Sequence, residues 1–175
     1  MKGMSASAEV IRPWGQDSAT RADCIANKPK ETKMSAEAKD IPSAAAPAQV
    51  LGGVIPYLQV DGAIKASEFY QRAFGATLVA LHPVDEKGRT MHIHLHINGS
   101  SLMLADPYPD HGHPLEKPQA FNLTLQVKDI DAWWNRAVAA GATVVMPVEK
   151  MFWGDRYGQL RDPFGVLWSM NQPSQ

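Results

Sequence analysis

Apolar and polar positions alternate from Ile55 to Val60 in the manner of a short strand, and Asp61 follows as a candidate helix N-cap. Ala66, Phe69, Tyr70, Ala73 and Phe74 then recur at helical spacing and make one apolar face. Gly75 stands where that helix needs a left-handed residue to stop, and Ala76 to Leu81 reads as the next strand. Asp85-Glu86-Lys87-Gly88 is a turn. Thr90 to Ile97 alternates strictly, Asn98-Gly99 is a hairpin signal, and Ser101 to Ala105 returns as the partner strand. Residues 106–119 hold four prolines and two histidines and read as a connecting loop.

The order then repeats. Phe121 to Val127 is a strand, Asp129 is the N-cap, and Ile130, Trp133, Trp134 and Ala137 give an i, i+3, i+4, i+7 stripe. Gly141 ends the helix and Thr143 to Met146 is a strand. Tyr157 to Arg161 and Val166 to Met170 form a hairpin around Asp162-Pro163-Phe164-Gly165, whose Pro and Gly suit a type I turn. Leu58-Gln59-Val60 and Gly75-Ala76-Thr77 in the first half match Leu125-Gln126-Val127 and Gly141-Ala142-Thr143 in the second, and Pro83-Val84 matches Pro147-Val148. This predicts an α+β fold of two βαβββ modules, about residues 53–106 and 120–172. Neither module alone covers both faces of its sheet. Packed together, they give eight strands curved into an open barrel around a cleft, with the helices on the outer face.

Residues 1–50 break from this pattern. Ala, Ser, Pro and Lys dominate from Ser35 to Gln49 without apolar periodicity, so this part is expected to be a disordered, low-complexity leader to a domain at 51–175. No apolar run after Lys2 reads as a secretory signal, and none is long enough to span a membrane. The formal net charge of -1 argues against an electrostatic nucleic-acid binder, and the single cysteine, Cys24, excludes an internal disulfide framework. A cytoplasmic protein with a small organic partner, and neither nucleic acid nor membrane, is expected.

Strand alternation assigns the cleft face. Ile55, Tyr57 and Gln59 face the cleft, as do His92, His94 and His96, then Asn122, Thr124 and Gln126, and finally Leu167, Ser169 and Asn171. Candidate ligand-binding residues are Tyr57, Asn122, Thr124, Trp153, Arg156 and Ser169, with His94 as the candidate titrating, catalytic group. Trp153 and Tyr157 offer ring faces for stacking, and Arg156 a fork for a carboxylate or phosphate. The alternative is that Asp155 and Arg156 pair to brace their loop while Trp153 caps the barrel end. Alternate strand residues lie roughly 6.5–7 Å apart, so two of His92, His94 and His96 can converge on a metal. His111 and His113, in the connecting loop, are candidate additions. The alternative is that the three histidines line a wet strand face, pairing with carboxylates or with a second subunit.

Pro56-Tyr57-Leu58 with Phe69-Tyr70, Ala73-Phe74-Gly75-Ala76, Trp153-Gly154-Asp155-Arg156-Tyr157-Gly158, and Asp162-Pro163-Phe164-Gly165 followed by Trp168 carry a family resemblance. Over about residues 53–172 the chain resembles the vicinal oxygen chelate superfamily of glyoxalases, bleomycin-resistance proteins and dioxygenases, in its PhnB-like branch. The resemblance implies a divalent metal held by His and Glu side chains, one from each of four cleft strands. The matching positions here are Ile55, His94, Asn122 and Ser169, of which His94 alone is a good ligand. Two functional readings follow. One is a small-molecule-binding protein with no cofactor. The other is a metal-dependent lyase, isomerase or transferase that holds Zn, Fe, Ni or Mn at a site rebuilt from His92, His94 and His96. The resemblance also implies a homodimer.

Overall fold

A computed structural model describes residues 49–174. The leader expected at 1–50 therefore lies outside the described residues, apart from Gln49 and Val50. Eight strands and two helices follow in the order β1 (Tyr57–Gln59), α1 (Ala63–Phe74), β2 (Thr77–Leu81), β3 (Ile93–Ile97), β4 (Ser100–Ala105), β5 (Leu123–Gln126), α2 (Ile130–Ala139), β6 (Thr143–Lys150), β7 (Arg156–Arg161) and β8 (Leu167–Gln172). A short 3-10 turn at Pro109–His111 interrupts the linker between the two halves. The strands form two four-stranded sheets, β1-β4-β3-β2 and β5-β8-β7-β6. In each, a parallel pair (β1 with β4, β5 with β8) joins two antiparallel pairs. The duplicated βαβββ arrangement read from the sequence is the architecture observed, and the two sheets make a curved open barrel.

One face of each sheet is covered by helix. Leu58, Ile93, Leu95 and Leu104 of the first sheet, and Leu125, Leu160, Trp168 and Met170 of the second, are buried together with Phe69, Tyr70, Phe74, Ile130 and Ala137 of the helices. The core runs across both modules. Trp168 of the second sheet packs against Phe74 of α1 at 4.5 Å between ring centroids, and Arg136 of α2 donates from Nε to the Ala73 carbonyl at 2.9 Å.

The helix boundaries show how tertiary partners replace local ones. Asp61 is not the cap of α1. Gly62 occupies the N-cap position with φ 88°, and no side chain of its own caps the helix. The cap comes from the end of β4, where buried Asp106 Oδ1 accepts from Gly62 N and Ala63 N, both at 2.9 Å. In the second module Asp129 does cap α2, accepting from Ala132 N at 3.0 Å. Gln172, at the end of β8, accepts from Ile130 N at 2.9 Å. The same point in each module thus sends a side-chain oxygen to the start of its helix. Gly75 ends α1 at φ 65°, as its left-handed role requires.

The strand limits differ from the sequence reading mainly at β3 and β6. Thr90 lies outside β3 because Asp106 Oδ2 takes its N–H at 2.8 Å. β6 runs on through Pro147 to Lys150 rather than stopping at Met146. It is the edge strand of its sheet, where a missing N–H costs no ladder bond, and its register shifts on both sides of Met146. Asn98 (φ 48°) and Gly99 (φ 80°) form the expected tight hairpin turn. Trp133 and Trp134, from the apolar stripe of α2, are half-buried at the margin of the core.

Candidate functional site

The uncovered faces of the sheets carry most of the residues assigned to the cleft. On the first sheet Tyr57, Met103 and His94 lie in one register row across β1, β4 and β3. On the second sheet Thr124, Ser169 and Gln159 lie in the corresponding row across β5, β8 and β7. β1 and β5 are the edges of their sheets. Grooves of about 270 and 260 Å³, each lined by residues from both modules, run between them. Tyr57 and Phe121 line one groove; Asn122 and Thr124 line the other.

The histidine ladder is present, and one ring nitrogen of each histidine is held by another partner. His92 Nδ1 lies 3.2 Å from the Tyr57 hydroxyl, His94 Nε2 2.7 Å from Ser101 Oγ, and His96 Nε2 2.8 Å from the Gln49 carbonyl. Ring centroids are 6.5 Å apart for His92 and His94 and 5.0 Å for His94 and His96. His94 is only 2% exposed. Burial, then the neighbouring His96 and His92, holds its pKa below the ordinary imidazole value, so the ring is neutral at pH 7. His92 is lowered in the same way by burial and by His82. His111 lies near Tyr108 in the linker, the rings tilted with 6.2 Å between centroids, and His113 bridges to the Tyr108 backbone.

This donor set does not fit the family's divalent metal. Of the four corresponding positions, Ile55 has no donor atom, His94 is hydrogen-bonded to Ser101, and Asn122 Nδ2 donates to Ser169 Oγ at 2.8 Å. Among the described residues no three of His, Cys, Asp and Glu converge as a metal requires.

Asn122 and Ser169 instead belong to an uncharged cluster. The Tyr157 hydroxyl donates to Ser169 Oγ at 2.8 Å, and Gln159 Nε2 donates to the Tyr157 hydroxyl at 2.9 Å. Gln159 was absent from the sequence-derived set. Its signal was its place two residues beyond Tyr157, on the same face of β7. Trp153 stands beside the cluster at about half exposure, edge-to-face with Tyr157 at 5.9 Å and with the almost fully exposed Phe152 at 4.8 Å.

Arg156 is placed elsewhere. It shares the helix-facing side of β7 with Gly158 and Leu160, both buried, and makes a two-point ion pair with Asp131 of α2 at 2.7 and 2.8 Å. The proposed Asp155–Arg156 brace is therefore not formed. Strand alternation turns the arginine toward α2, while Asp155 accepts from Asn171 Nδ2 at 2.9 Å and Ser174 N at 3.0 Å. Those two bonds hold the Asp155 carboxyl below its ordinary pKa.

The match to known proteins falls on this domain. The model of the Glyoxalase/Bleomycin resistance protein/Dioxygenase superfamily matches residues 50–170. The chain belongs to that superfamily. An uncharacterized protein of Mycobacterium bovis is 43% identical over 124 residues, 67% of this chain and 81% of its own length. Among solved structures, protein PA1353 from Pseudomonas aeruginosa is 29% identical with a TM-score of 0.59, covering 70% of this chain and 98% of its own. TnmS3, an antibiotic binding protein from Streptomyces sp. CB03234, is 28% identical with a TM-score of 0.53, covering 75% of this chain and all (100%) of its own. A PhnB protein is also among the structural neighbours of this member of the superfamily. No helix among the described residues is long and apolar enough to cross a membrane.

Proposed function

We propose that this superfamily member binds an organic small molecule in the cleft between its modules, without a metal. The observation that carries the reading is the uncharged Asn122–Tyr157–Gln159–Ser169 cluster beside half-exposed Trp153. Small-molecule sites combine apolar and aromatic walls with a few fixed polar groups, and this face has both. The likeness to TnmS3 supports the same reading. Tyr57 and Phe121, each about half exposed, extend the apolar wall, with Thr124 on the facing strand. In this reading His94 contributes a neutral ring in the same strand row as Tyr57 and Met103 rather than a metal ligand.

A thermal-shift screen of an organic library, followed by titration of each hit, tests this. Trp153→Ala is expected to weaken a hit about tenfold, as removal of a stacking ring does, while leaving the unfolding temperature of the free protein within a degree or two. Unchanged affinity in the variant removes Trp153 from the site. A library without hits, together with one metal per chain in tag-free protein, favours the metal-dependent reading.

A further inference from the structure

Asn98 and Gly99 are the two central residues of the turn between β3 and β4, flanked by the paired Ile97 and Ser100. Both are exposed, with φ of 48° and 80°, the left-handed pair of a type I′ turn. The turn also reaches the other module. Asn98 Nδ2 donates to the carbonyl of Gln126, the last residue of β5, at 2.8 Å. The two sheets share no strand pairing, so this side chain supplies a hydrogen bond across a seam that the ladders leave open. Ile97 and Ser100 on one side of the seam, and Thr124 and Leu125 on the other, line the groove of about 260 Å³. The bond needs an amide. A carboxylate in its place has no hydrogen to give and would set a negative charge against the carbonyl oxygen.

The same residue is placed for a reaction with its own backbone. Gly99 N can attack the side-chain amide carbon of Asn98, because glycine has no Cβ to hinder the approach. A Cβ built at Gly99 would meet nothing within 4 Å, so this peptide is open to water. Strand pairing passes from Ile97 to Ser100 and leaves the Gly99 N–H outside the ladder. In the attack Gly99 N gives its proton to solvent base, forms a bond to Asn98 Cγ and expels ammonia, leaving a cyclic succinimide. Water then breaks one of the two C–N bonds of the ring and leaves aspartate or isoaspartate. Water is the co-reactant, and nothing is oxidised or reduced. The native turn holds the amide on Gln126, so the tip must open first. An exposed hydrogen bond adds little net stability, and a hairpin tip opens far more often than the core. Asn122, Asn135 and Asn171 are followed by Leu123, Arg136 and Gln172, whose side chains hinder the same attack.

We infer that Asn98 is a modification site, where spontaneous deamidation turns an amide that latches the two modules into a carboxylate that cannot. Isoaspartate also lengthens the main chain inside a turn that has no slack.

The test uses the full chain, held at mildly alkaline pH and then digested with trypsin. Mass spectrometry of the peptide Thr90–Lys128 is expected to show the amide-to-acid mass gain at Asn98, growing with time and accompanied by isoaspartate. Asn122, in the same peptide, should stay an amide. Asn98→Asp, the product in its simpler form, is expected to unfold about 2–5 °C below wild type, the effect of one lost hydrogen bond in a domain of this size. Asn98→Gly keeps the turn without the amide and should fall by a similar amount. An Asn98 that outlasts Asn122, or wild-type stability in either variant, overturns the inference. The mass measurement is made on the wild-type chain, so it decides the modification whatever the variants do.

Discussion

Gly158 shows how a single residue in a recognisable motif carries a packing requirement. A methyl group there would stand 2.7 Å from Trp134 Cζ3 and 3.0 Å from Val148 Cγ2. Its backbone needs no positive φ, so the constraint is space alone. Gly158→Ala is expected to destabilise the domain by about 1–3 kcal/mol, the range for overpacking. Urea denaturation measures this, and a Trp134→Leu background should recover much of the loss. Full additivity of the two changes would show that the two residues do not compete for the same space. Tyr157 and Gly158 are neighbours in sequence with opposite duties, since strand alternation sends one to the cleft and the other under α2. The same rule accounts for Arg156. Its fork suggested anion binding, but its parity places it with Gly158.

At the level of elements, the starts of the two helices differ in what the sequence reveals. Asp129 caps α2 from the adjacent position, and a sequence reading finds it. α1 is capped by Asp106, 43 and 44 positions from the N–H groups it accepts. Asp106→Ala leaves the N–H groups of Gly62, Ala63 and Thr90 without their partner. The expected cost is roughly 2–4 kcal/mol, combining a lost cap with buried donors left unpaired. Asp61→Ala should change stability by less than about 0.5 kcal/mol, as for a surface substitution. Comparable losses for the two variants in chemical denaturation would restore Asp61 as the cap.

Across the whole molecule, Asp162 ties the modules together. Its Oδ2 accepts from the Tyr70 hydroxyl of α1 at 2.8 Å and from Trp168 Nε1 at 2.9 Å, while Oδ1 takes the N–H groups of Phe164 and Val166. Burial raises its pKa above the ordinary carboxylate value, against the pull of the four donors. The folded state therefore binds this proton at a higher pH than the unfolded chain does. The stability linked to that proton is fully present below the unfolded value of about 3.9 and is lost as pH rises through the raised folded value. The stability of wild type relative to Asp162→Asn should thus fall across that window, as followed by denaturation at a series of pH values. A rising difference would reverse the assignment. The homodimer implied by the family belongs to this scale too. Sedimentation equilibrium should return twice the chain mass, and a monomeric mass removes it from the account.

The sequence by itself determined the duplication, the two amphipathic helices, the tight turns at Asn98-Gly99 and Asp162–Gly165, and which strand faces are apolar. These follow from local periodicity and from residues such as Gly75 whose backbone freedom is intrinsic. Only the tertiary structure decided the partners of the polar groups, because hydrogen bonds between strands distant in the chain leave no local signature. It gave the cap of α1 to Asp106 and committed Arg156 to Asp131. It gave one nitrogen of each of three histidines, whose spacing alone suggested a metal, a hydrogen-bond partner elsewhere. It also gathered Asn122, Tyr157, Gln159 and Ser169, spread over β7, β8 and the approach to β5, into one cluster at the cleft.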